Sequence, residues 1–231
     1  MKKILMLHGA IGSEKQFHPL LEAIGNHLEI WTFNFSGHGG KPFSNKPFMV
    51  IELANEVLDF LDSHEITQVH IFGYSMGGYV GMYLAMHHPE RVVSVATLAT
   101  KWRWSTEIAA KETKMLQPEL IQEKLPHFAL QLQERHHPNN WTVVLKKTAE
   151  LMQELGNQPA LVATDLSKIS CPCCLIVGDK DKMVSIDETL EFYNALPKSS
   201  LAVLPQTFHP IEQISIPLLQ EILLRFWYNI D

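Results

Sequence analysis

The sequence has no basic run, no internal repeat, no low-complexity tract and no apolar stretch long enough to cross a bilayer. Each absence removes a class of function. With a net charge of −6 and no cluster of Lys and Arg, the chain is not built to meet a phosphate backbone, so nucleic acid is not an expected partner. Met1-Lys2-Lys3-Ile4-Leu5-Met6-Leu7 starts like a secretory leader. Its apolar run nevertheless stops at His8-Gly9 with no cleavage site behind it, so it reads as a first buried strand and the expected location is the cytoplasm. Cysteine is scarce and crowded into one segment, Cys171, Cys173 and Cys174. In a reducing compartment these are free thiols. On a strand Cys171 and Cys173 share one face while Cys174 points away, so they read as small buried residues, not as ligands. A Gly-rich phosphate loop is also absent, and the pairs His87-His88 and His136-His137 lack ligand spacing and read as solvent-facing helix ends. No metal or other cofactor is expected.

What is present is a hydrophobic fraction of 46% against 19% charged residues in 231 residues, enough for one large α/β domain and its core. The rest of the chain is arranged around Val69-His70-Ile71-Phe72-Gly73-Tyr74-Ser75-Met76-Gly77-Gly78-Tyr79-Val80. A β-branched apolar run ends at Gly-x-Ser-x-Gly and an amphipathic helical pattern begins directly after it. So sharp a strand-to-helix turn forces its corner residue to positive φ and needs small residues two places to either side. It lifts the Ser75 hydroxyl clear of the sheet, beside the N–H groups that open the helix.

Ahead of this corner the pattern gives a strand at Ile4–Leu7, a helix from about Glu14 to His27, a strand at Ile30–Phe33 and a helix from Phe48 to Leu61. After it come a helix to His87 and a strand from Arg91 to Ala99. Such alternation implies a parallel sheet with helices on both faces. From Lys101 to about Ser170 only helical patterns appear (Thr106–Leu116, Pro118–Arg135, Asn140–Leu155), with a break at Pro126. The expected organisation is therefore a core of residues 1–100 and 171–231 with a helical insertion at 101–170 lying over the strand ends, where open α/β sheets bind ligands. Strands at Cys173–Val177 and Leu201–Leu204, a helix at Asp187–Leu196 and a last helix to Tyr228 complete the chain.

A serine hydroxyl needs a base to take its proton, and the base needs an acid to orient it. Ser75, Asp181 and His209 each follow a predicted strand, so all three loops leave the same edge of the sheet. Asp181 is preferred to Asp179 because it lies further past the strand end. Two N–H donors for a developing oxyanion are expected from Met76 and from Ala10, in the loop after the first strand. Ile11, Trp102, Arg103 and Trp104 are candidate substrate contacts, the last three because the insertion begins close to where a pocket should open. Met115, Leu116 and Phe128 are expected inside the insertion's own core.

The chain thus resembles an α/β-hydrolase. The matching pieces are His8-Gly9-Ala10-Ile11-Gly12-Ser13, Gly37-His38-Gly39, Gly73-Tyr74-Ser75-Met76-Gly77-Gly78, His88-Pro89-Glu90-Arg91-Val92, Gly178-Asp179-Lys180-Asp181 and His209. The resemblance implies a mostly parallel sheet, here expected to have about six strands, because the first strand starts at residue 2 and the antiparallel hairpin that precedes it in most relatives is missing. It also implies a helical cap, Ser75 as nucleophile, His209 as base and then acid, Asp181 as orienting acid, and Ala10 and Met76 as oxyanion hole. The Gly37-His38-Gly39 turn is structural in such proteins. The expected activity is hydrolysis of a carboxylic ester, thioester or amide of a small, apolar molecule through an acyl-enzyme, by a monomer or homodimer. Relatives also use the triad for C–C bond hydrolysis or a lyase reaction, and a ligand receptor without turnover is the rival from another class. Two departures stand out. Asn34 occupies the place where the turn motif usually opens with Asp, and Phe208 stands where Gly often precedes the histidine, which should narrow the site or alter the loop.

Overall fold

The computed structural model describes residues 1–25 and 28–230. Six strands form one sheet in the order β2-β1-β3-β4-β5-β6, and every neighbouring pair is parallel. They are β1 (Lys3–Leu7), β2 (Glu29–Phe33), β3 (Val69–Tyr74), β4 (Val92–Leu98), β5 (Cys173–Gly178) and β6 (Ser199–Leu204). The interior strands β3 and β5 are buried along their whole length, whereas the edge strands β2 and β6 are largely half-exposed. That explains the unbroken apolar runs at the centre, since a parallel sheet covered on both faces has no polar side to alternate with.

The two faces carry separate cores. Leu5, Ile71, Val95, Cys173 and Leu175 pack against α2 (Val50–Ser63), α3 (Met76–His87) and α8 (Ile186–Ala195). Ile4, Met6, Phe72, Cys174 and Ile176 face α1 (His18–Ile24) and α9 (Ile216–Tyr228) on the other side. Cys173 and Cys174 thus sit on opposite faces, one in each core, as the two-residue period of a strand requires. The helix expected over Glu14–His27 opens with a 3-10 turn at Glu14–Phe17 and continues as α1, and its expected last residue, His27, lies outside the described residues.

Four helices are inserted between β4 and β5: α4 (Thr106–Thr113), α5 (Pro118–Lys124), α6 (Pro126–His136) and α7 (Trp141–Asn157). Ser105 and Asn140 cap α4 and α7 by accepting the N–H groups of Ile108 and Thr142. Pro126 opens α6 because it has no N–H to offer the preceding turn, which separates α5 from α6. Ile121, Leu132, Trp141 and Leu145 form a small core inside the insertion, with Leu116 and Phe128 against it. Met115 is not part of it. At 63% exposed it stands on the surface, because the 3-10 turn that ends α4 rotates it off the packed side. Among the described residues no helix is long and apolar enough to cross a membrane.

Candidate active site

The sheet order puts β1 and β3 side by side with their crossovers running in opposite directions, so a crevice opens beyond their C-terminal ends. Ser75 stands in that crevice at φ 50° and ψ −113°. A side chain at φ near +50° is strained. Here the strain is held by its neighbours: the Ser75 N–H donates to the Leu98 carbonyl (2.8 Å), and the Ser75 carbonyl accepts from Thr100 Oγ1 (3.1 Å) and from the Gly78 N–H (3.1 Å). Strand and helix are in contact at the corner. A Cβ on Gly73 would meet the Gly78 backbone, and one on Gly77 would meet the Leu7 carbonyl.

Ser75, Asp181 and His209, far apart in sequence, come together here. Ser75 Oγ lies 3.4 Å from His209 Nε2, and His209 Nδ1 lies 2.8 Å from Asp181 Oδ2. The Asp181 side chain is fully buried, and its other oxygen accepts the N–H groups of Met183 (2.8 Å) and Val184 (2.9 Å). A carboxylate so satisfied fixes the imidazole with Nδ1 protonated, leaving Nε2 to face the hydroxyl. Asp179 acts elsewhere. It accepts the Thr207 N–H (3.2 Å), tying the end of β5 to the histidine loop. Tyr74 holds the same loop by donating to the His209 carbonyl (3.0 Å), and burial pushes its phenol well above the ordinary range, so it stays a donor. Phe208 neither narrows the crevice nor lines it; the residue is 46% exposed and faces away.

The loop after β1 is braced from two sides. His8, fully buried, donates from Nδ1 to the Gly9 carbonyl (2.8 Å) while its Nε2 accepts the Phe35 N–H (3.2 Å). That carbonyl and the Ala10 N–H belong to one peptide plane, so His8 orients the group beside Ser75. Burial lowers the His8 pKa to about 3, which keeps the ring neutral and both bonds in place. Ile11 takes φ 52°, and its carbonyl accepts from Arg135 Nη1 (3.0 Å) and His136 Nε2 (3.1 Å), both at the end of α6. His136 is therefore not a solvent-facing helix end. It is buried, with a pKa lowered by burial to about 4, because its Nδ1 also accepts the Gly39 N–H and so binds the insertion to two loops of the core. His38 lies between His8 and His136, with ring centroids 5.1 and 5.4 Å away, in the wall behind the site. Asn34, in place of the usual Asp, bonds Glu14 through both ends of its amide.

Two cavities meet at Ser75. The larger, about 840 Å³, is lined by Ser75, His209, Pro210, Phe128, Arg135 and Glu212, among others, so α6 forms one wall. The smaller, about 40 Å³, lies toward α7 and is lined by Ser75, Met76, Tyr79, Trp104, Leu151 and Leu155. Ala10 borders both. Of the candidate contacts, Ile11 lines the large cavity and Trp104 the small one. Trp102 and Arg103 reach neither. Trp102 is 1% exposed and stacks on Phe192 in the core, and Arg103 points out to Glu191 (2.6 Å). The stretch after β4 has no regular secondary structure, so its side chains do not alternate: packing against Phe192 draws Trp102 into the core, and the ion pair with Glu191 turns Arg103 outward. Among the described residues no group of three or more His, Cys, Asp and Glu side chains is placed to hold a metal ion.

This arrangement can move a proton from a hydroxyl to an imidazole, with N–H groups beside the hydroxyl for negative charge. A family model described as alpha/beta hydrolase fold matches residues 2–138. Over 227 residues the chain is 26% identical to the pimeloyl-[acyl-carrier protein] methyl ester esterase of Neisseria meningitidis serogroup A, a match spanning 90% of this chain and 71% of that protein. It is 32% identical over 93 residues to a probable alcohol acetyltransferase of Cyberlindnera jadinii, spanning 39% of this chain and only 26% of that protein. The crystal structure of a putative lipase from Acinetobacter baumannii superimposes with a TM-score of 0.85 at 19% identity, over 99% of this chain and 84% of that one.

Proposed function

The chain belongs to the alpha/beta hydrolase fold family, and on that premise we propose that it is a serine hydrolase that cleaves a carboxylic ester through an acyl-enzyme. Ser75 Oγ attacks the ester carbonyl as His209 Nε2 takes its proton. The tetrahedral oxyanion is held by the N–H groups of Ala10 and Met76, the latter the first N–H of α3 and without an intrahelical acceptor. The C–O bond to the alcohol breaks, and the alkoxide leaves with the proton from His209. Water then attacks the acyl-enzyme with His209 again as base, releasing the carboxylic acid and restoring Ser75. Asp181 holds the imidazole in the required tautomer and stabilises it when charged. Residues 101–170 act as a cap, since α6 walls the large cavity and α7 contributes to both.

The observation that carries this reading is the hydrogen-bonded line Ser75–His209–Asp181 beside a braced N–H loop. The relative named a methyl ester esterase supports an ester as the bond cleaved. Labelling by a fluorophosphonate probe tests it. Modification of wild type at Ser75, abolished in Ser75→Ala, is the expected result. A folded protein that takes up no label would overturn the proposal.

A further inference from the structure

We infer that the substrate's acyl half is short and apolar and its alcohol half is the larger one, an assignment that rests on the ester-hydrolase reading above. The tetrahedral carbon formed on Ser75 Oγ carries three other groups: the oxyanion, the acyl chain and the alkoxy group. The alkoxy oxygen must lie against His209 Nε2, because that atom delivers its proton when the C–O bond breaks. His209 lines the large cavity and is absent from the small one. The alcohol therefore extends into the space of about 840 Å³. With the oxyanion turned toward Ala10 and Met76, the remaining substituent, the acyl chain, enters the cavity bordered by Met76.

That cavity is small and walled by hydrocarbon. Val50 from α2, Tyr79 from α3, Trp104 and, from α7, Leu151 and Leu155 close it. Lys101 also borders it but presents only its stem, since its ammonium donates to the Met183 carbonyl (2.8 Å) and pairs with Glu188 (3.5 Å). The Tyr79 hydroxyl is likewise engaged, accepting the Leu161 N–H (2.9 Å). A volume of about 40 Å³ holds roughly three water-sized positions, which suits acyl chains of roughly two to four carbons. A longer chain has to displace α7 or Trp104 side chains that are packed into the core.

Two isomeric esters separate the orientations, because hexyl acetate and methyl heptanoate contain the same atoms and differ only in which half is long. Their kcat/KM values are compared for wild type, with Ser75→Ala as background and fluorophosphonate labelling in parallel. Hexyl acetate is expected to be faster by about tenfold or more. In Trp104→Leu the ratio is expected to move toward methyl heptanoate, and a ratio taken within one preparation does not depend on how much of the variant is folded. Equal rates, or faster methyl heptanoate, in an enzyme whose Ser75 is labelled would overturn the assignment and leave the serine-hydrolase reading standing. Labelled enzyme that turns over neither ester would overturn it as well. Absence of both labelling and Ser75-dependent turnover would sink the assignment together with the reading beneath it.

Discussion

Asp181 divides its two oxygens, one accepting backbone N–H groups and one facing His209 Nδ1. Replacement by Asn separates the two roles. Asn keeps an acceptor for Met183 and Val184, yet offers His209 an NH₂ group, which favours the tautomer that points a proton at Ser75 in place of a lone pair. In Asp181→Asn we expect kcat to fall by about 10³-fold or more while the thermal midpoint stays within a few degrees. A loss of less than about tenfold would show that Asp181 does not orient the base. At the same scale, His8 is visible in the sequence only as the start of a tight His-Gly turn. Its bonds to the Gly9 carbonyl and the Phe35 N–H depend on a partner 27 residues away, which no local pattern predicts.

The elements owe their positions to close backbone approaches. At the end of β3 the chain reverses against α3 within a single residue, and this requires Gly73, Gly77 and Gly78 to lack side chains. Gly77→Ala should destabilise the fold by about 2 kcal/mol or more, because its Cβ collides with the Leu7 carbonyl of β1, a backbone atom held in the sheet. Urea denaturation measures this, and a change under about 0.5 kcal/mol would mean that β1 and α3 are not in contact there. The strand and helix periods are legible in the sequence because central parallel strands and one-sided helices leave clear patterns. The direction of the side chains after β4 is not. Lys101-Trp102-Arg103-Trp104 has no regular period, so only packing decides that Trp104 reaches the cavity and Trp102 the core.

Across the whole molecule, buried histidines, of which His136 ties the insertion to the core, make the fold sensitive to acid. Burial lowers the pKa of His8 to about 3 and those of His70 and His136 to about 4, against 6.5 for the free side chain. His38 is lowered in the same direction for the same reason. Between pH 6.5 and those values the unfolded chain binds protons that the folded chain refuses, so stability is present above 6.5 and is lost as pH falls. His8, His70 and His136 each remove at most about 2 kcal/mol by pH 5. Urea midpoints are thus expected to drop steeply from pH 7 to pH 5. His136→Gln, which keeps a donor for the Ile11 carbonyl, should have a shallower slope. An unchanged slope would rule out His136 as one of the titrating groups.

Periodicity and turn chemistry are local and survive in one dimension. They were enough to specify the parallel α/β sheet, the Gly73–Gly78 corner and the order Ser75, Asp181, His209. Packing in three dimensions settled what they could not: that Asp181 meets His209 while Asp179 ties down Thr207, that His136 is buried against Ile11, and that Phe208 faces away. It also made one cavity beside Ser75 large and the other small. These outcomes depend on contacts between residues tens to more than a hundred positions apart. Such contacts are set by which helix lies over which strand end, and no pattern along the chain encodes that.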